Sequence, residues 1–134
     1  MSVLLDTHVW IWWLVGDVRL VPQERAALDR LAAKGAVRLS PVSLWEAQML
    51  HSKGRLQLDR PFDIWLRDAA AASVVQIVPI DVETVIAIDG LPDSFHGDPA
   101  DRLIVATARA HRLPLATHDK AIRKSRAATI WKSP

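Results

Sequence analysis

The chain predicts an α/β protein with a central parallel sheet covered by helices on both faces, and two observations carry that expectation. Short apolar runs of strand length alternate with segments of helix length, with no repeat and no low-complexity linker, so successive strands have to be joined by helical crossovers. Acidic residues also recur just beyond the apolar runs: Asp6 after Val3-Leu4-Leu5, Glu46 soon after Val37-Arg38-Leu39, and Asp119 after Leu115-Ala116-Thr117. In a parallel sheet those positions fall at the carboxyl edge, where open α/β sheets form their ligand crevice.

Taken in order, residues 2–6 read as the first strand and 8–15 as an apolar helix. Pro22 opens a helix through Leu31 that Gly35 stops, since proline suits the first helical position and glycine the end. Residues 37–40 form the second strand, and 43–52 the next helix, stopped by Gly54. A helix over 62–73 has Pro61 at its first position, and the β-branched run 74–80 reads as a buried strand. Asp81 caps a short helix to about residue 89, and Asp98-Pro99 opens one reaching 112. Residues 113–117 are a strand, Asp119 caps a helix over 120–125, and 129–132 read as a last edge strand.

The 134 residues suit one domain, spanning 1–134 and burying about two thirds of its unfolded surface. Half the residues are apolar and 24% charged, as in globular proteins. The longest apolar candidate, 9–15, falls well short of the roughly 18 residues of a membrane span. There is no cysteine, and the start of the chain lacks a basic leader and cleavage site, so a cytoplasmic location is expected. The net charge of +2 hides an asymmetry: residues 1–108 carry ten basic against fourteen acidic side chains, and 109–134 carry seven against one. That basic segment (Arg109, Arg112, Lys120, Arg123, Lys124, Arg126, Lys132) reads either as a solvated face or as a surface for a polyanion's phosphates.

Each acid also has a local explanation. Ser43-Leu44-Trp45-Glu46 fits a capping box, Asp98 an N-cap ahead of Pro99, Asp101 a favourable charge against the helix dipole, and Asp119 another cap. Asp6, at a strand end, could cap the helix after it, with Thr7 sharing the role. Their convergence on one crevice favours a second function. Crowded carboxylates raise one another's pKa unless a cation compensates, and oxygen ligands without cysteine select a hard ion, Mg²⁺ or Mn²⁺. Such ions, singly or as a pair, promote hydrolysis of phosphodiesters by activated water.

Four segments carry a family resemblance: Leu4-Leu5-Asp6-Thr7-His8, Ser40-Pro41-Val42-Ser43-Leu44-Trp45-Glu46, His96-Gly97-Asp98-Pro99-Ala100-Asp101 continuing to Ala108, and Leu115-Ala116-Thr117-His118-Asp119. In order and spacing they resemble the four motifs of PIN-domain nucleases, in the branch of VapC toxins. The resemblance implies a three-layer α/β/α PIN-like domain with Mg²⁺- or Mn²⁺-dependent endoribonuclease activity, one or two ions per site. It further implies an RNA substrate, inhibition by a VapB-like antitoxin, and homodimerisation. By motif, Asp6, Glu46, Asp101 and Asp119 match the metal-binding and catalytic acids, with Asp98 auxiliary. Thr117 matches the hydroxyl residue ahead of the fourth acid, Thr7 would orient Asp6 or a water at the metal, and Arg102 with the basic tail would hold RNA phosphates.

Two other functions fit parts of the pattern. A non-catalytic RNA- or antitoxin-binding module could keep the acids for structure alone. A phosphatase using Asp6 as nucleophile would need a second aspartate two residues on, where His8 stands. Of six tryptophans, Trp10, Trp12 and Trp13 make the first helix apolar all round, hence a core helix or one covered by another chain. Trp45 and Trp65 read as core. His8, His96 and His118 adjoin the proposed ligands without zinc-site spacing, and are read as supporting or RNA-contacting groups.

Overall fold

The computed structural model describes residues 1–95 and 97–134; the role expected for His96 falls outside the described residues. Four short strands, β1 (Val3–Leu5), β2 (Val37–Leu39), β3 (Gln76–Ile77) and β4 (Leu115–Ala116), form one sheet in the order β3-β2-β1-β4. Every pairing is parallel: Leu4 lies opposite Arg38 on one side and Leu115 on the other, and Arg38 opposite Gln76. The chain steps outward from β1 through β2 to β3, then crosses back to place β4 on the far side of β1. The strand order therefore reverses at β1, making its carboxyl end a topological switch point.

Helices α1 (Thr7–Val15), α2 (Pro22–Ala33), α3 (Pro41–Ser52), α4 (Phe62–Ala69), α5 (Val82–Asp89), α6 (Pro99–Ala110) and α7 (Lys120–Ser125) supply the connections and the cover. Alternation along β1 divides the core. Val3 and Leu5 pack on one face with Trp10 of α1, Leu28 of α2 and Trp65 of α4; Leu4 packs on the other with Ile104 of α6 and Ile122 of α7. Val3, Leu4 and Leu5 are all fully buried, as a parallel strand covered on both faces requires. The result is the expected three-layer α/β/α arrangement.

Four local expectations are corrected. The run 74–80 is not a buried strand: only Gln76 and Ile77 pair, both exposed, while Val75 and Val78 turn inward. They lie on the sheet's edge, where one side has no neighbour. Residues 129–132 contribute only an isolated parallel bridge from Ile130 to Leu115, and α4 ends at Ala69, short of residue 73. Helix α3 begins two residues before the expected start: Ser40 caps it by accepting from the Val42 N–H at 3.2 Å, and Pro41 takes the first helical position. Ser43 is therefore inside the helix, not a cap, and there is no capping box to occupy Glu46.

Candidate active site

The end of β1 delivers Asp6 directly into the cap of α1. Its backbone is extended (φ −64°, ψ 151°), and Oδ1 accepts the Thr7 N–H at 2.7 Å. Its other oxygen accepts from the hydroxyl of Thr117, at the end of neighbouring β4, at 2.6 Å. The same Thr117 Oγ1 accepts from the Asp119 N–H at 3.0 Å, and Asp119 in turn caps α7 through the Ile122 N–H at 2.9 Å. One buried hydroxyl thus ties the acids of two adjacent strand ends together.

Glu46 is reached from the other side. Thr7 Oγ1 donates to Glu46 Oε1 and lies 2.8 Å from Ser43 Oγ, and both hydroxyl residues are fully buried. Ser43 is a positioning residue that sequence reasoning missed; the Ser40-Pro41 dipeptide was the signal that would have freed it from the cap. Asp98 caps α6 by accepting the Asp101 N–H at 2.8 Å, so a single turn presents both carboxylates. A Cβ on Gly97 would lie 2.5 Å from Phe95 Cζ and 3.0 Å from Asp101 Cβ, so this approach to α6 needs glycine.

The five acids meet in a crevice of about 390 Å³ lined by Asp6, Glu46, Asp98, Asp101 and Asp119 with His8, Trp12, Arg19 and His118. The capping roles of Asp6, Asp98 and Asp119 are real and coexist with this convergence. Thr7 and Thr117 stand immediately behind the acids. Arg102 is elsewhere: its guanidinium approaches the Phe95 carbonyl at 3.4 Å and lines a separate hollow beside Asp89 and Asp93. The fourth wall of the crevice, Trp12 and Arg19, was not visible in the sequence. Arg19 lies 4.6 Å from the Trp12 ring centroid and grips Asp17 with Nε and Nη2, at 3.0 and 2.7 Å. His118 meets the Trp12 ring edge-on at 5.5 Å and bonds Glu24 at 2.9 Å.

The tryptophans divide accordingly. Trp10, Trp13, Trp65 and Trp131 are core, Trp12 is half-buried at the crevice, and Trp45, expected in the core, is 54% exposed. Its helix turns Val42, Ser43 and Ala47 inward, leaving Trp45 on the outer side.

Electrostatics register the crowding. Burial pushes the Asp6 carboxyl up, opposed by the Thr117 hydroxyl and His8 and reinforced by Asp119. Glu46 is raised by burial, with the Thr7 hydrogen bond opposing and Asp6 and Asp98 adding. Asp101 is pushed to about 7 by burial and by Asp98, Asp6, Asp119 and Glu46. Such a site suits a hard divalent cation by donor type, since every carboxylate offers oxygen and gains from added positive charge. Among the described residues no three His, Asp or Glu side chains form a ready-made cage. Mg²⁺ asks for none: it keeps several waters and takes only one or two protein carboxylates.

A pH dependence follows. Asp101 has a native pKa above its unfolded value, so the folded state holds the proton more tightly; the stability this group contributes is fully present below pH about 4 and is lost as pH rises to about 7. Metal-free protein is expected to melt a few degrees lower at neutral pH than at pH about 5, worth about 1 kcal/mol after solvent screening. Scanning calorimetry in EDTA should show the decline, and Asp101→Asn should flatten it; an unchanged slope in that variant would refute the assignment.

Fold and site together define a class: a parallel α/β/α domain whose carboxylate-lined crevice opens at the switch point of its sheet. Residues 3–127 match the family model of the PIN domain, and the chain belongs to the PIN-domain family. It is similar to ribonuclease VapC22 of Mycobacterium tuberculosis, with 37% identity over 134 residues that cover 97% of this chain and 98% of the relative. Among solved structures it resembles VapBC2 from Rickettsia felis bound to a DNA fragment from their promoter, with TM-score 0.72, 16% identity, and 98% of each chain covered. It also resembles a toxin-antitoxin complex from Klebsiella pneumoniae, with TM-score 0.65, 22% identity, and 96% of each chain covered.

Proposed function

We propose that this chain is a metal-dependent endoribonuclease acting as the toxin of a toxin-antitoxin pair, a single nuclease domain over residues 1–134. The observation that carries this reading is the gathering of Asp6, Glu46, Asp98, Asp101 and Asp119 in one crevice at the sheet's switch point. The near full-length likeness to a VapC ribonuclease supports RNA as the substrate. The toxin-antitoxin relatives support a VapB-like antitoxin as the partner. No helix among the described residues is long and apolar enough to cross a membrane, in keeping with action in the cytoplasm. The exposed apolar residues Val82, Val85 and Ile86 on α5 are compatible with a homodimer.

Asp6 and Asp101 would hold the ion, Mg²⁺ or Mn²⁺, with Glu46 and Asp119 completing the site and Asp98 as auxiliary. When bound, one or two such ions supply Lewis-acid polarisation of the phosphoryl group and ease deprotonation of the attacking water. The chain's own residues set the geometry. Thr117 fixes the rotamer of Asp6 through its hydroxyl; the Ser43–Thr7 pair does the same for Glu46. Asp101, pushed to about 7 without a cation, would be drawn to its ionised form once the ion is bound, so loading the site releases a proton.

Cleavage of RNA should vanish in EDTA and return with Mg²⁺ or Mn²⁺; tight RNA or antitoxin binding with no metal-dependent turnover would favour the non-catalytic module instead. Arg19 is the one cation among the crevice-lining side chains other than the histidines, held rigid by Asp17 and Trp12, and would meet the phosphodiester. Arg19→Ala is expected to raise KM about tenfold, the worth of one charge-assisted contact, with a smaller effect on kcat. Steady-state kinetics on a short RNA decide this; an unchanged KM removes Arg19 from the site.

A further inference from the structure

A second hollow, of about 710 Å³, opens where the chain enters β4, at the edge of the sheet opposite the carboxylates, and is lined by Arg109, Arg112, Arg126, Leu113, Pro114 and Ala127 among others. Among the described residues no carboxylate lines it. Several carbonyls of its wall are already engaged within the chain. Ala108 O accepts from Leu113 N, Pro114 O from Leu4 N, Thr129 O from Leu115 N, and Ala127 O from the Arg109 guanidinium, at 2.8 to 2.9 Å. Arg112 and Arg126 take part in no ion pair among the described residues. The hollow therefore offers the positive charge of its arginines, with much of its acceptor capacity already spent.

Backbone conformation adds a second, independent reason. Arg112 and Arg126 are left-handed, at φ 53° and 55°, and they are the two non-glycine residues so placed among the described residues. Each follows a helix, where glycine is the ordinary occupant because a side chain there is disfavoured by about 1 kcal/mol. Attraction of cations to the helix dipole does not explain the choice. Arg109 already serves the last turn of α6, and Arg123 with Lys124 that of α7, at ordinary helical positions. Two arginines kept at strained positions on one hollow are better explained by what the hollow binds.

The basic segment connects the two edges. Helix α7 is flanked by its caps Asp119, which lines the crevice, and Arg126, which lines the hollow, with Lys120, Arg123 and Lys124 exposed between them. Its rise is about 9 Å, a span a polynucleotide covers in a few nucleotides. We propose that the arginine hollow is a second phosphate site, holding the RNA backbone a few nucleotides from the bond being cut. The source of the phosphates rests on the ribonuclease reading; the preference for phosphate does not.

The test uses the full chain carrying Arg112→Gly and Arg126→Gly together, which removes both guanidiniums and suits the left-handed backbone, so the melting temperature should hold or rise. In EDTA at low salt, affinity for a single-stranded RNA of roughly 20 nucleotides is expected to fall tenfold or more. The slope of log affinity on log salt should become shallower by about 1.4, two lost phosphate contacts on a single strand. Affinity for a dinucleotide, whose single phosphate cannot occupy both edges at once, should change less than about twofold. If RNA affinity is unchanged but stabilisation by inorganic pyrophosphate is lost, the phosphate site stands and RNA is overturned as its source. If neither changes, or if only binding of a poly-glutamate peptide is lost, the proposal is overturned. Length-dependent RNA binding by a protein that cleaves nothing would sink the ribonuclease reading and leave this site in place.

Discussion

Asp6→Asn is expected to reduce RNA cleavage by about 10³-fold or more while leaving the metal-free protein at least as stable. The two halves of that expectation have separate origins. Asparagine caps helices as well as aspartate does, and its side-chain oxygen can still accept the Thr7 N–H that Asp6 accepts at 2.7 Å. The amide can face Thr117 in place of the second oxygen, so the packing at this 5%-exposed position need not change. Burial disfavours the ionised form of Asp6, so neutralising it removes a desolvation cost from the folded state. Cation binding, by contrast, loses its most enclosed carboxylate, and a loss of about 4 kcal/mol of transition-state stabilisation corresponds to roughly 10³ in rate. Single-turnover cleavage beside a thermal melt separates the two. Full activity in a well-folded Asp6→Asn protein would end the case for a metal site at this strand end.

Trp10→Ala should do the reverse, acting on the fold before the chemistry. Trp10 is fully buried, donates Nε1–H to the Ala69 carbonyl at 3.1 Å, and meets the Trp65 ring at 5.5 Å between centroids. Removing it leaves a cavity between α1 and α4 and an unpartnered carbonyl, a loss of about 3–5 kcal/mol. Against a total of about 5–15 kcal/mol this lowers the melting temperature by roughly 10–20 °C. Trp12→Ala, two residues on but half-buried at the crevice, should cost about 1 kcal/mol or less. Equal destabilisation by both would mean that α1 packs differently from the arrangement described.

These two tryptophans show where sequence reading stops. Val9-Trp10-Ile11-Trp12-Trp13-Leu14 is apolar on every side, so periodicity cannot say which ring enters the core and which lines a crevice. That depends on Arg19 and His118 arriving from elsewhere to join His8, one turn back on the same helix, in giving Trp12 polar company. The carboxylates were legible because strand ends and helix caps have local signatures, and a parallel sheet brings such positions to one edge whatever the details of packing. Glu46 was legible as a member of the set but not in its surroundings. Reading Ser43 as its capping partner overlooked Ser40-Pro41, which starts the helix earlier and turns Ser43 inward to Thr7. The strand at 74–80 was overextended because a β-branched run carries the same local signal at a sheet's edge as at its centre. Arg102 was expected to hold RNA phosphates with the basic tail; it follows Asp101, but successive helical residues point about 100° apart, and it lines another hollow.

The Thr117 hydroxyl bond to Asp6 joins residues 111 positions apart. A contact of such sequence separation forms late, after most of the chain is available to fold. During synthesis from the amino end, Thr117 and Asp119 are made more than a hundred residues after Asp6. An unfinished chain, its last strand not yet made, therefore lacks both the partner that orients Asp6 and the fourth acid. The order of translation itself keeps the proposed nuclease inactive until Thr117 and Asp119 have been made and β4 has paired with β1.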